Sequence, residues 1–208
     1  MIFLSTHGDD DRVYEHDNRT FVKENASPVH TDMGWVKLGL MKDLLAGFGF
    51  YNDIKIGYIV SSVGERFHQM GSYIIDNLNP TQCLPFLTAV PDPVLGGYEI
   101  IINHAGTNVL HTNFATYYGK GSFRTFSDNP HYCKMIWKTM RDYERLAQKK
   151  GGNTALVFAG RQIVLALNRY AKVRYEGSTK ACMFEINPQR RSIKCLIKNG
   201  ELNQTPLE

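Results

Sequence analysis

At 208 residues the chain fits one domain with a proper core, and 43% hydrophobic against 21% charged residues is the balance of a folded protein. A net charge of +4 is mild, and no apolar run approaches the ~20 residues of a membrane helix, so neither a membrane nor a nucleic-acid partner is expected. Cys83, Cys133, Cys182 and Cys195 lie far apart without a CxxC pair, which excludes a zinc pattern or a disulfide framework and suits a reducing, cytoplasmic setting.

Met1 to Ser5 is an apolar strand that begins at once, without the charged region of a signal peptide. It runs through Thr6-His7-Gly8 into a polar stretch, Asp9 to His30, that reads as a surface loop. Thr31-Asp32 caps a helix whose Trp35, Leu38, Met41, Leu45 and Phe48 recur every three or four residues, and Gly47 and Gly49 are expected to stop it. Ile54 to Val60 is a second apolar strand ending in Ser61-Ser62, and Val63 to Leu78 fits a helix closed by Asn79-Pro80. A middle rich in Pro and Gly follows, with a third apolar run from Tyr98 to Ile102.

A long helix spans His131 to Lys150, opened by Asn129-Pro130 and closed by basic residues and Gly151-Gly152. Thr154 to Phe158 is a fourth buried strand, turning through Ala159-Gly160 into a helix from Arg161 to Tyr170. Lys180 to Ile186 and Ser192 to Lys198 alternate as a hairpin around Asn187-Pro188, and its Arg190, Arg191, Lys194 and Lys198 read as a solvated basic face. Strands alternating with helices predict a single three-layer α/β/α sandwich over residues 1–208, with a mostly parallel central sheet. In such sheets the working site lies beyond the carboxyl ends of the strands, which points at His7, Ser61-Ser62, the 103–106 turn and Ala159-Gly160.

Several of these segments resemble one family. Phe3-Leu4-Ser5-Thr6-His7-Gly8, then Val60-Ser61-Ser62 followed by Arg66 and Gln69 on one helix, then the helix, Gly-Gly break and Ala155 to Gly160 are similar to the histidine phosphatases (phosphoglycerate-mutase-like). The first helix, with Gly34 near its start, and the closing hairpin fit as well, and the match is poor from about residue 80 to 127, a variable insertion. The resemblance implies a phosphoryl group passed to His7 and held by Arg66 at a helix start, in a pocket bordered by Thr6, Gly8, Ala159 and Gly160. Ser61 and Ser62 are candidate added hydroxyl donors and Arg161 a candidate substitute cation. A phosphoryl group in flight spreads charge over its equatorial oxygens, so its catalysis is mostly positioning and cationic stabilisation.

Two positions depart from the pattern. Thr6 stands where the family has an arginine, and Ala159 where it has a second histidine. Losing one such donor typically costs roughly 10²–10³ in rate. The Asn103-His104-Ala105-Gly106 run also resembles the second-histidine motif, but that alignment would leave residues 131–160 and the hairpin unaccounted for, which favours Ala159. His104 is therefore a candidate for entering the pocket from a neighbouring strand end, and Glu65, Asp92 and Glu99 are candidate acids.

The resulting reading is a pseudo-phosphatase that binds a phosphorylated small molecule, phosphate or a protein partner. The alternative is an active phosphomonoesterase working through a phosphohistidine at His7, with a site rebuilt around Arg66 and His104. A third reading, metal-assisted phosphoester hydrolysis, would draw on His7, Asp9, Asp10, Asp11, His16, Asp17, Asn103 and His104. Three adjacent aspartates more often make a solvated acidic loop, so no metal site and no cofactor is expected.

Overall fold

The computed structural model describes residues 1–6, 32–51, 53–62, 65–76, 78, 83–85, 87–96, 99–102, 108–111, 129–177, 182–198 and 201–203. In chain order these form β1 (Ile2–Thr6), α1 (Asp32–Tyr51), β2 (Ile56–Ser61), α2 (Glu65–Asp76), β3 (Val90–Pro91), a 3-10 turn (Pro93–Gly96), β4 (Glu99–Ile102) and β5 (Asn108–His111). Then come α3 (Pro130–Lys149), β6 (Thr154–Ala159), α4 (Arg161–Tyr170), β7 (Cys182–Asn187), β8 (Ser192–Lys198) and β9 (Glu201–Leu202).

β1, β2 and β6 are apolar on both faces because both faces are covered. Alternate residues divide between two cores. Ile2, Leu4, Val60, Ala155, Val157 and Ala159 pack with α3 and α4, while Phe3, Ile59, Leu156 and Phe158 pack with α1 and α2. The seven-stranded sheet has the order β3-β2-β6-β1-β7-β8-β9. Its first four strands are parallel, and β7 to β9 add an antiparallel flank built by the closing hairpin. This is the three-layer α/β/α sandwich that the order of elements predicts.

α3 begins as the sequence suggests. Asn129 Oδ1 accepts from the Tyr132 N–H at 3.1 Å, and Pro130 occupies the first turn, where no N–H is needed. Its buried stripe, from Tyr132 through Ile136, Trp137, Met140 and Tyr143 to Ala147, lies on the sheet, and the Trp137 indole donates to Leu167 O of α4 at 3.0 Å. On the opposite face α2 crosses Phe158 at Gly71, where a Cβ would sit 3.3 Å from the ring.

Three expectations change. α1 does not stop at Gly47 or Gly49 but continues to Tyr51. A glycine inside a helix costs only about 1 kcal/mol relative to alanine, and burial of Leu38, Met41 and Leu45 outweighs that. The Pro-rich middle contributes an unforeseen edge strand, β3, where Pro91 is tolerated because an edge leaves one side of the backbone unpaired. Among the described residues the apolar run at Glu99–Ile102 pairs with β5 in a separate two-stranded sheet, and the 103–106 turn lies outside the described residues.

Candidate functional site

β1, β2 and β6 end at one level. Ser61 pairs with Phe158 and Phe158 with Ser5, so the two serines flank one phenylalanine on the α1/α2 face. One residue further Thr6 pairs with Ala159, on the α3/α4 face. The two positions that depart from the histidine-phosphatase pattern are thus direct neighbours across a single strand pair, and both are fully buried.

The Thr6 hydroxyl is committed to the protein. Its Oγ1 accepts from the Cys182 N–H at 3.0 Å and donates to the Cys182 carbonyl at 3.2 Å, extending the β1–β7 ladder by one side-chain rung. Cys182 and Cys195 are buried, and hydrogen bonding to Cys182 together with burial pushes the Cys195 thiol well up. A thiol held protonated is a poor nucleophile.

Ser61 and Ser5 are different. Both are fully buried, and among the described residues neither Oγ has a hydrogen-bond partner. Around them the backbone is fully engaged: the Ser62 N–H donates to Phe158 O at 2.8 Å and the Asp92 N–H to Ser61 O at 2.8 Å. Ser62 is buried as well.

Ala159 leads into Gly160, which opens α4 without any side-chain cap. Arg161, half-buried, is the first residue of α4. Gln162 follows, buried, with its carboxamide lying where a Gly160 Cβ would be and its Nε2 donating to Leu95 O at 3.4 Å. Arg66 is the second residue of α2, four residues past Ser62, and the structure describes its backbone only.

Among the candidate acids, Asp92 is placed in detail. Its Oδ1 accepts from the Val94 N–H at 2.8 Å and its Oδ2 from the Tyr143 hydroxyl at 2.6 Å. Burial first, and then the Asp92 charge, hold the Tyr143 phenol far above its ordinary range, so it remains a donor. Glu65 and Glu99 begin α2 and β4. His7, Gly8 and His104, and the proposed metal set of Asp9, Asp10, Asp11, His16, Asp17 and Asn103, lie outside the described residues. Among the described residues no three His, Cys, Asp or Glu side chains are grouped to hold a metal ion.

Sequence reasoning missed Ser5 and Gln162. A signal existed for each: Ser5 is a polar residue following the apolar run Ile2-Phe3-Leu4, and Gln162 is the one polar residue in the buried arc of α4.

No family model matches the chain, and no curated protein matches it by sequence. Solved structures do. A candidate alpha-ribazole-5'-P phosphatase from Escherichia coli K-12 superposes with a TM-score of 0.51 at 14% identity, covering 98% of each chain. The protein histidine phosphatase SixA, solved with tungstate, superposes with a TM-score of 0.52 at 14% identity, covering 93% of this chain and 92% of its own. At such identity the likeness speaks for the fold.

Proposed function

This chain has the histidine-phosphatase (phosphoglycerate-mutase-like) fold, and from that premise we propose that it is a pseudo-phosphatase, retaining a phosphate-binding pocket with little or no turnover. The observation that carries this reading is the pairing of Thr6 with Ala159. Both lost donors belong to one spot, and the hydroxyl that replaces the arginine is spent on Cys182. A transferred phosphoryl group would lack cationic and imidazole donors on that side, and groups acting on one phosphate fail as a unit.

Retention of binding is supported by the other side of the same edge. A buried hydroxyl without a partner costs about 1–3 kcal/mol, and among the described residues Ser5 and Ser61, on either side of Phe158, both stand in that condition. A phosphoryl oxygen, or the tetrahedral oxyanion found in the SixA structure, is an acceptor suited to such hydroxyls and to helix N–H groups. Arg66 adds the charge, and His7 lies next to Thr6 in the chain. The ligand is a phosphorylated small molecule or phosphate itself, and the four free cysteines suit a cytoplasmic setting.

Two measurements test this reading. Hydrolysis of p-nitrophenyl phosphate is expected near background, and calorimetry is expected to detect inorganic phosphate binding that Arg66→Ala abolishes. Robust hydrolysis lost in His7→Ala would instead establish the active, rebuilt phosphomonoesterase. Thr6→Arg with Ala159→His should raise turnover by more than either change alone, by roughly 10²-fold or more.

A further inference from the structure

We propose that Gln162 is a ligand-binding residue of this pocket, its carboxamide donating to a phosphoryl oxygen on the side where Ala159 offers nothing. The proposal rests on the phosphate-binding reading above and adds to it a specific residue that replaces the missing imidazole.

The buried arc of α4 consists of Gln162, Ile163, Val164, Ala166 and Leu167, four of them apolar. A glutamine at this depth, 9% exposed, needs partners for two N–H donors and a carbonyl. Among the described residues it makes one hydrogen bond, to Leu95 O at 3.4 Å, the long end of the range for an amide donor. The side chain is therefore held in place with donor capacity to spare.

Its location gives that capacity a use. The carboxamide packs onto Gly160, in the space a Cβ there would take. Gly160 directly follows Ala159, the partner of Thr6, and Leu95 belongs to the turn that follows Asp92, whose N–H is bonded to Ser61 O. The carboxamide thus bridges the ends of β6 and β3 at the carboxyl edge of the sheet, over a helix start that has no side-chain cap. Unlike an imidazole, an amide donates to an anion without titrating and cannot relay a proton, which fits a site that holds phosphate and does not turn it over.

Titration calorimetry with inorganic phosphate on wild type, Gln162→Ala, Gln162→Met and Gln162→Glu is the test, each variant checked by its melting temperature. Methionine keeps the length without donors, so it serves if alanine fails to fold. Binding is expected to weaken roughly tenfold in the Ala and Met variants, the loss of one hydrogen bond to a charged group, and further in Glu, whose carboxylate repels the anion. In wild type the Gln162 side-chain amide resonances should shift on adding phosphate, which a purely structural glutamine would not do. Unchanged or tighter binding in Gln162→Met, or amide resonances that stay still while wild type binds, would overturn the assignment and leave the pocket reading standing. Absence of phosphate binding by wild type would overturn both.

Discussion

The two faces of one sheet edge are built differently. On the α3/α4 face Thr6, Tyr143 and Asp92 are bonded within the protein: Thr6 clamps Cys182, Tyr143 donates to Asp92, and Asp92 accepts from the turn that follows it. On the α1/α2 face, either side of Phe158, Ser5 and Ser61 are buried without a hydrogen-bond partner among the described residues. The asymmetry teaches that one strand edge can satisfy its buried hydroxyl on one face and, among the described residues, leave two buried hydroxyls unsatisfied on the other.

Thr6→Val is the sharpest way to break this comparison. It keeps the shape and removes both hydrogen bonds to the Cys182 backbone, so denaturant unfolding should reveal a loss of about 2–3 kcal/mol. A loss under half that would mean the clamp is incidental. Tyr143→Phe removes the phenol bonded to the Asp92 carboxylate and should cost about 1.5 kcal/mol by the same measurement.

Alkaline pH separates the faces by another route. Burial pushes the Cys83 thiol up to about 11 from an ordinary 9.0, on the α1/α2 side, and raises Tyr58 and Tyr143 on the other. A raised pKa means the folded state keeps a proton that the unfolded chain gives up, so the stability it contributes is complete below pH 9 and lost as pH rises through 11. Melting temperature should fall over that window, and Cys83→Ala should flatten the first part of the fall. An identical profile in the variant would assign the loss to the tyrosines.

The smallest effect is the most telling. Ser5→Ala and Ser61→Ala should leave the ligand-free protein unchanged or up to about 1 kcal/mol more stable, since each removes an unsatisfied buried group. With saturating phosphate the wild type should regain that margin. Destabilisation of either variant without ligand would show that its hydroxyl already has a partner.

Much of this architecture is legible in the chain. The apolar strands, the Asn129-Pro130 helix start, the Gly151-Gly152 break and the hairpin all obey local rules, because strand burial, capping and turn chemistry depend on near neighbours. The end of α1 does not, since glycine only biases a helix to stop and core packing outweighed it. Within the site, Ser61, Ser62, Ala159 and Gly160 stand at the strand ends where the sequence puts them. The roles of Ser5 and Gln162 were hidden because each depends on a residue far away: Ser5 on Phe158, Gln162 on Leu95.

By itself the sequence indicated the alternation of the main strands and helices, and put Thr6 and Ala159 where the resembled family has an arginine and a histidine. Only the tertiary structure decided that these two residues touch the same spot, that one is locked to Cys182, and that the apolar run at Glu99–Ile102 leaves the central sheet. The reason is physical. Local propensity and hydrophobic period act over a few residues, whereas strand pairing and the satisfaction of buried polar groups are settled between segments up to 176 residues apart.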